Sequence, residues 1–316
     1  KGEGSEAAVA AWAAQLERAS RASPASSTLK DAKPWLVPVK PGANKPPARL
    51  RLVVFDWTGN RGGAGSFHGG DVRSNWEKWL GDESPKDTWE VCKVEYPGRG
   101  MRPKDPNATS TAEVASGVVE ALGKAGPMAG TVFFGFSFGA ILAYETAALM
   151  AAKGLPLLGL VVASAEHPAW TGRVDGAGKS CGPTKDMDRS MFEALLRERR
   201  GVPEMIFQMP GAVDAIRADM QLEESYSTKL PSHPPLPCPV VAFRGKACPQ
   251  ISLQDVDPWL QCSALGAGSP SRVVELETGL KPTAEQHWLS DWYLCQGEAS
   301  AKTMLKAIAK DFSASS

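Results

Sequence analysis

Phe133-Phe134-Gly135-Phe136-Ser137-Phe138-Gly139 decides the reading of this chain. An apolar run, Thr131–Phe134, leads into it and reads as a buried strand. A helical stretch rich in Ala and Leu follows Gly139 and ends near Gly154, a residue suited to leaving a helix. A serine between two glycines at a strand-to-helix turn is the arrangement that lifts a hydroxyl above the edge of a sheet. The turn has no room for side chains at 135 and 139, and the helix that starts there aims the positive end of its dipole at developing negative charge. Ser137 is therefore the candidate nucleophile. The plainer alternative is a structural serine in a glycine-rich turn.

Working outward, the same alternation recurs. Leu50–Phe55, Trp89–Glu95, Leu158–Ala163, Val240–Phe243 and Val273–Leu276 read as further strands. Several are continuous apolar runs, as expected when helices cover both faces of a sheet. Ser110-x-x-Glu113 is a capping box that starts a helix running to about Lys124. Strand–helix alternation of this kind predicts an α/β fold with a mostly parallel sheet wound on both faces. Residues 183–228 break the rhythm: Met191–Arg200 and Ala212–Tyr226 are amphipathic, with no strand signal between, so a helical insertion over the sheet, a lid, is expected. Upstream, residues 5–22 predict a short helix carrying Trp12 and Leu16, and Ser23 to Pro47 is a Pro-, Ser- and Lys-rich arm or linker. The division is thus an N-terminal piece, 1–47, and a globular domain, 48–316.

Composition narrows the partners. Of 316 residues 43% are apolar and 22% charged, with 35 Lys plus Arg against 35 Asp plus Glu, so the net charge is zero. That excludes the long-range field with which nucleic acid or an anionic membrane is attracted. No apolar run approaches the ~20 residues of a membrane span. The six cysteines are scattered without CxxC pairs or metal-ligand spacing to His, so reduced thiols and a cytoplasmic setting are expected, with an organelle such as a plastid left open. No metal and no cofactor are expected.

A serine nucleophile needs a base. Among four histidines, His287 lies after the last expected strand, followed by Trp288-Leu289, where a base in the order Ser, acid, His belongs. His68 falls in a Gly-rich loop, and His167 and His233 each adjoin a proline in turn-like surroundings; a surface role is the simpler reading for all three. The developing oxyanion needs two backbone N–H donors. Phe138, next to the nucleophile, is one; Thr58, in the loop Asp56-Trp57-Thr58-Gly59-Asn60, is the other.

Several segments together resemble the type II thioesterases of polyketide and nonribosomal peptide synthesis, which are α/β-hydrolases. Arg49–Gly59 resembles their first strand and loop, and Tyr96-Pro-Gly-Arg-Gly-Met-Arg102 their P-G-R-x-x-R segment. Ile216-Arg-Ala-Asp219 with Glu224-Ser-Tyr226 resembles their lid-to-sheet helix, and Cys238–Gly245 the next strand. The resemblance runs from about Trp35 to the C-terminus. It implies hydrolysis of acyl thioesters from the phosphopantetheine arm of an acyl carrier protein or synthase carrier domain, the arm coming with the substrate. Alternatives are a chain-terminating domain of a larger synthase, a catalytically weak protein that holds carrier-bound chains, and a general carboxylester hydrolase. A monomer is expected.

The departures concern the site. The family's His and Met beside the serine are Phe136 and Phe138 here, closer to chain-releasing domains. Its catalytic Asp would follow Gly245, where this chain reads Lys246-Ala247-Cys248-Pro249. Glu166, shortly beyond the strand ending near Ala163, is the first candidate for the acid. Asp255 and Asp257 are alternatives, each with a structural explanation: Ser252-x-x-Asp255 as a capping box and Asp257-Pro258 as a helix start. A Ser–His dyad without an acid is the remaining option. For docking an acidic carrier, Arg197, Arg199 and Arg200 cluster at one helix end, although cations are favoured there in any case. Phe192, Leu195, Leu196, Met205, Ile206, Phe207 and Met209 either line an acyl tunnel or pack the insertion onto the sheet.

Overall fold

The structure is a computed structural model describing residues 3–25, 29–38, 48–60, 88–126, 128–168, 183–200, 202, 204–228, 233–248, 251–266, 268–277, 294 and 297–312. The six apolar runs form strands within two residues of their expected bounds: β2 Leu50–Phe55, β3 Trp89–Val94, β4 Gly130–Phe136, β5 Gly159–Ala163, β6 Val240–Gly245 and β7 Arg272–Leu276. Every residue of β2, β3, β5 and β6 is buried, which is why these strands do not alternate; the charges they carry are paired inside, as Arg51 with Glu90 and Lys93 with Glu95.

A seventh strand, β1 Leu36–Pro38, comes from the arm. The sheet order is β1-β3-β2-β4-β5-β6-β7, antiparallel only between β1 and β3. Strand β4, which delivers Ser137, is therefore the middle strand. The N-terminal piece is part of this body. Helix α1, Glu3–Arg21, is nearly the length expected, and its Trp12 indole donates to the Leu158 carbonyl at 2.7 Å. Leu29, Ala32 and Leu36 are buried in the same core, and the Arg102 guanidinium stacks 4.1 Å above the Trp35 ring. The composition of Ser23 to Pro47 reads as a linker or arm; in its described part proline is tolerated in a short edge strand, and Leu29, Ala32 and Leu36 seat it on the core.

Helix α2, Thr111–Lys124, begins where the capping box placed it, with the Glu113 N–H donating to Ser110 Oγ at 3.1 Å. Helix α3, Phe138–Ala152, runs from Ser137 through the core, buried along almost its whole length. After β5 the chain enters the insertion: helix α4 Arg189–Arg200, a helical turn Glu204–Phe207, and helix α5 Ala212–Thr228. It has its own small core of Phe192, Leu195, Leu196, Val213, Ile216 and Met220. The C-terminal helix α6, Glu298–Phe312, closes the structure, with Phe312 fully buried.

Register places the chemistry. Phe55 pairs with Gly135 across β2 and β4, and Phe136 with Ala163 across β4 and β5. The loops after β2, β4 and β5 thus leave the same carboxyl edge side by side, where open parallel sheets bind their ligands.

Candidate active site

Ser137 adopts φ 54° and ψ −125°, a left-handed conformation that costs a non-glycine residue about 1–3 kcal/mol. The surrounding turn imposes it. A Cβ on Gly135 would lie 2.4 Å from Ala140 Cα, and one on Gly139 would lie 2.2 Å from the Phe55 carbonyl oxygen. Neither contact is possible, so both glycines are required by the approach of backbone to backbone. The turn is also fastened from outside: the Ser137 N–H donates to Ala163 O, and Ala140 N–H donates to Ser137 O, both at 2.9 Å. Ser137 itself is half-buried. Phe138 N–H lies at the first turn of α3, among the donors that a helix leaves unsatisfied.

The loop beside it is a tight turn. Asn60 N–H donates to Trp57 O at 3.2 Å, with Gly59 at φ 74°, the geometry of a type II turn with Thr58 and Gly59 at its centre. Such a turn leaves the N–H of its second residue, Thr58, outside the turn's own bond. The Trp57 ring packs edge-on against Phe136 at 5.7 Å, so the phenylalanine that replaces the family's histidine joins the two loops. The other, Phe138, is buried and lines a cavity of about 10 Å³ with Leu142, Ala218 and Leu222.

Behind the turn sits a buried ion pair. Arg99 donates to both carboxylate oxygens of Asp219, at 2.6 and 2.7 Å, and also to Asn60 O at 3.2 Å. Gly59 N–H donates to Asp219 Oδ2 at 2.7 Å. Asp219 is 2% exposed and Arg99 7%. Burial raises the Asp219 carboxyl above its ordinary value, against the opposing pull of Arg99 and Gly59 N–H. Both motifs stand out in the sequence, but their pairing does not, because Arg99 and Asp219 are 120 residues apart.

With a glycine-framed serine at the head of a central strand and a donor loop on the same sheet edge, known proteins give a consistent match. The profile of the thioesterase domain family covers residues 68–309. The chain belongs to that family. Thioesterase PikA5 of Streptomyces venezuelae is 31% identical over 178 residues, 54% of this chain and 59% of the relative's length. The human medium-chain S-acyl fatty acid synthase thioesterase is 26% identical over 223 residues, 68% of this chain and 75% of its own. Among solved structures, YbtT, the type II thioesterase from the yersiniabactin NRPS/PKS pathway, aligns with a TM-score of 0.64 at 20% identity, covering 88% of this chain and 98% of that one. The shared fold is that of the α/β-hydrolases, as the sequence resemblance implied.

Within this thioesterase the carboxylate candidates are now separable by geometry. Asp255 is engaged in the expected capping box: its Oδ2 accepts from Ser252 N–H at 2.8 Å and from Ser252 Oγ at 2.6 Å. Asp257 is exposed and opens the 3₁₀ turn Asp257–Cys262 with Pro258 behind it. After β6, Lys246 pairs with Glu277 at 3.0 Å. Glu166 lies on the loop after β5, half-buried, and that loop is pinned on three sides. Trp259 Nε1 donates to Ala165 O at 2.9 Å, His167 N–H to Asp255 O at 2.9 Å, and the His167 ring contacts Cys262 Sγ at 3.4 Å. His167 is therefore half-buried against Trp259 rather than a surface residue. His233 likewise has a partner, Glu145 at 2.6 Å, which also accepts from the Tyr226 hydroxyl at 2.9 Å.

His287, His68 and the loop 278–286 lie outside the described residues, as do the side chains of Arg199 and Arg200. Arg197 is described, and its charge is met locally: it pairs with Glu204 at 3.0 Å and Glu193 at 3.2 Å and lies 3.8 Å above the Phe207 ring. The residues read as tunnel or packing divide the same way. Phe192, Leu195 and Leu196 fill the insertion's own core, Ile206 and Phe207 pack against it, and Met205 is 59% exposed. Among the described residues, no group of His, Cys, Asp or Glu is placed to hold a metal, and no helix is long and apolar enough to cross a membrane.

Proposed function

We propose that this thioesterase hydrolyses acyl thioesters borne on the phosphopantetheine arm of a carrier protein, through an acyl-enzyme on Ser137. The observation that carries the proposal is the Ser137 turn, held at φ 54° by two glycines that nothing larger can replace. In this account His287 takes the Ser137 proton as Oγ attacks the thioester carbon. The oxyanion accepts hydrogen bonds from the Phe138 and Thr58 N–H groups. The C–S bond then breaks, and the departing thiol takes the proton from the imidazolium. Water, deprotonated by the same imidazole, hydrolyses the acyl-serine and regenerates the hydroxyl. Glu166 orients the imidazole from its pinned loop and stabilises its charge.

The helical insertion serves as a lid. Helix α5 walls the cavity beside Phe138 with Ala218, Asp219 and Leu222, and its movement opens that space to an acyl chain. The carrier docks as an acidic partner at the end of helix α4 that carries Arg197, Arg199 and Arg200, where Arg197 also meets Glu193 and Glu204. The protein needs no cofactor of its own.

The test is thiol release from acyl-pantetheine and from the matched oxygen ester, with wild type and Ser137→Ala. Serine-dependent release that favours the thioester is expected. Equal or better turnover of the oxygen ester makes it a carboxylester hydrolase, and tight binding without turnover makes it a holding protein.

A further inference from the structure

Two loops and one insertion helix meet at Asp219. The peptide 59–60 of the Thr58 turn is gripped from both ends: its preceding N–H, on Gly59, donates to Asp219 Oδ2, and the Asn60 carbonyl accepts from Arg99 Nη1. Arg99 and Asp219 are themselves joined by two parallel bonds, a geometry that fixes direction as well as distance. Asp219 belongs to helix α5, whereas Gly59 and Arg99 belong to the sheet's carboxyl-edge loops. The helix is pressed onto the turn as well, since a Cβ on Gly59 would lie 2.2 Å from Ile216 Cγ1.

We infer that Asp219 is a positioning residue for the oxyanion hole: it fixes the turn that presents the Thr58 N–H, and it does so only while helix α5 is seated on Arg99. The inference rests on the reading of Ser137 and Thr58 given above. Its physical basis is the arrangement of donors. In the turn Trp57–Asn60, the Asn60 N–H closes the turn and the Gly59 N–H is taken by Asp219. The Thr58 N–H makes neither of these bonds, and its direction is set by the two that flank it. A surface turn held by one 3.2 Å bond would sample other peptide orientations; the carboxylate removes that freedom. Removing the carboxylate frees the turn and leaves the Ser137 turn's own bonds, to Ala163 O and from Ala140 N–H, in place. The same bonds make the hole conditional, because an insertion held open carries Asp219 away from Gly59. A carbonyl is then activated only after α5 has closed behind the acyl group.

The experiment compares wild type, Asp219→Asn, Asp219→Ala and Ser137→Ala on one acyl-pantetheine. The inhibitors are its trifluoromethyl ketone analogue, which forms a tetrahedral oxyanion on the nucleophile, and the matched methyl ketone, which reports ground-state binding. Melting temperatures are recorded for all four. We expect both Asp219 variants to lose kcat by at least ~10-fold with KM little changed, short of the ~10²–10³ lost when a donor is deleted outright. Trifluoromethyl ketone affinity should fall by the same factor as kcat, with methyl ketone affinity constant. A folded Asp219→Asn with wild-type kcat and wild-type trifluoromethyl ketone affinity overturns the inference and leaves the Ser137 mechanism standing. So does a lowered melting temperature with unchanged kcat per folded enzyme, which marks a structural salt bridge only. Wild-type turnover by Ser137→Ala overturns both.

Discussion

The Ser137 N–H donates to the carbonyl of Ala163 at 2.9 Å, which ties the nucleophile's turn to the end of the neighbouring strand. The next residue, Ser164, takes the left-handed conformation at φ 47°, and its N–H donates in turn to Phe243 O at 3.0 Å. Three strand ends are thereby joined across the sheet edge. The middle one sends out the loop that carries Glu166. Glu166 thus leaves the sheet one strand away from the serine's own.

Glu166→Gln should lower kcat by about 10²–10⁴ with KM nearly constant, the scale on which an orienting carboxylate acts in a serine hydrolase. Asp255→Asn should leave kcat unchanged and lower stability by about 1 kcal/mol through its capping box. Steady-state kinetics and urea titrations on the pair separate the two carboxylates. Loss of kcat in Asp255→Asn with an active Glu166→Gln would reverse the assignment.

Gly139→Ala places a methyl 2.2 Å from Phe55 O and 2.6 Å from Asp56 O. Both are backbone atoms of the strand end and donor loop, so the strain falls on the site itself. The expected outcome is a stability loss of about 1–3 kcal/mol and loss of thioester turnover. Thermal melting and a thiol-release assay check it together.

How far the sequence could be read follows from where the determinants lie. β2, β3, α2 and the Ser137 turn were legible because each is set by neighbours in the chain: an apolar run, a capping box, two glycines around a serine. The β1 strand was not. Leu36–Pro38 pairs with Val94, Lys93 and Cys92, so its structure comes from a partner that composition does not reveal. The Arg99–Asp219 clamp was half legible, since both motifs stood out but only the fold brings them together. His167 and His233 looked like surface residues because the proline beside each signals a turn, and a turn says nothing of what the ring will meet.

The N-terminal helix makes its own prediction. Trp12 is 7% exposed and bonded to Leu158 O, at the entry to β5. Trp12→Ala should cost about 3–5 kcal/mol, as for other large aromatic truncations in cores. Denaturant unfolding measures this, and an unchanged midpoint would show that the helix is dispensable.

His167 should shape the acid limb of stability. Burial lowers its imidazole from the ordinary value of 6.5. Its contribution is then complete above 6.5 and lost as pH falls through the lowered folded value, because the unfolded chain takes up the proton more readily. Between pH 7 and 5 the melting temperature of wild type should therefore fall more than that of His167→Gln. Parallel curves for the two proteins would assign the acid limb to other groups.

The central claim is that Ser137 carries the acyl group. Mixing the enzyme with an acyl-pantetheine, quenching in acid within the first turnovers and mapping the added mass by peptide mass spectrometry tests it most directly. The account predicts the acyl mass on the peptide containing Ser137, with its disappearance in Ser137→Ala. Full turnover with no acyl-serine at any quench time, or the acyl group on another residue, would contradict it.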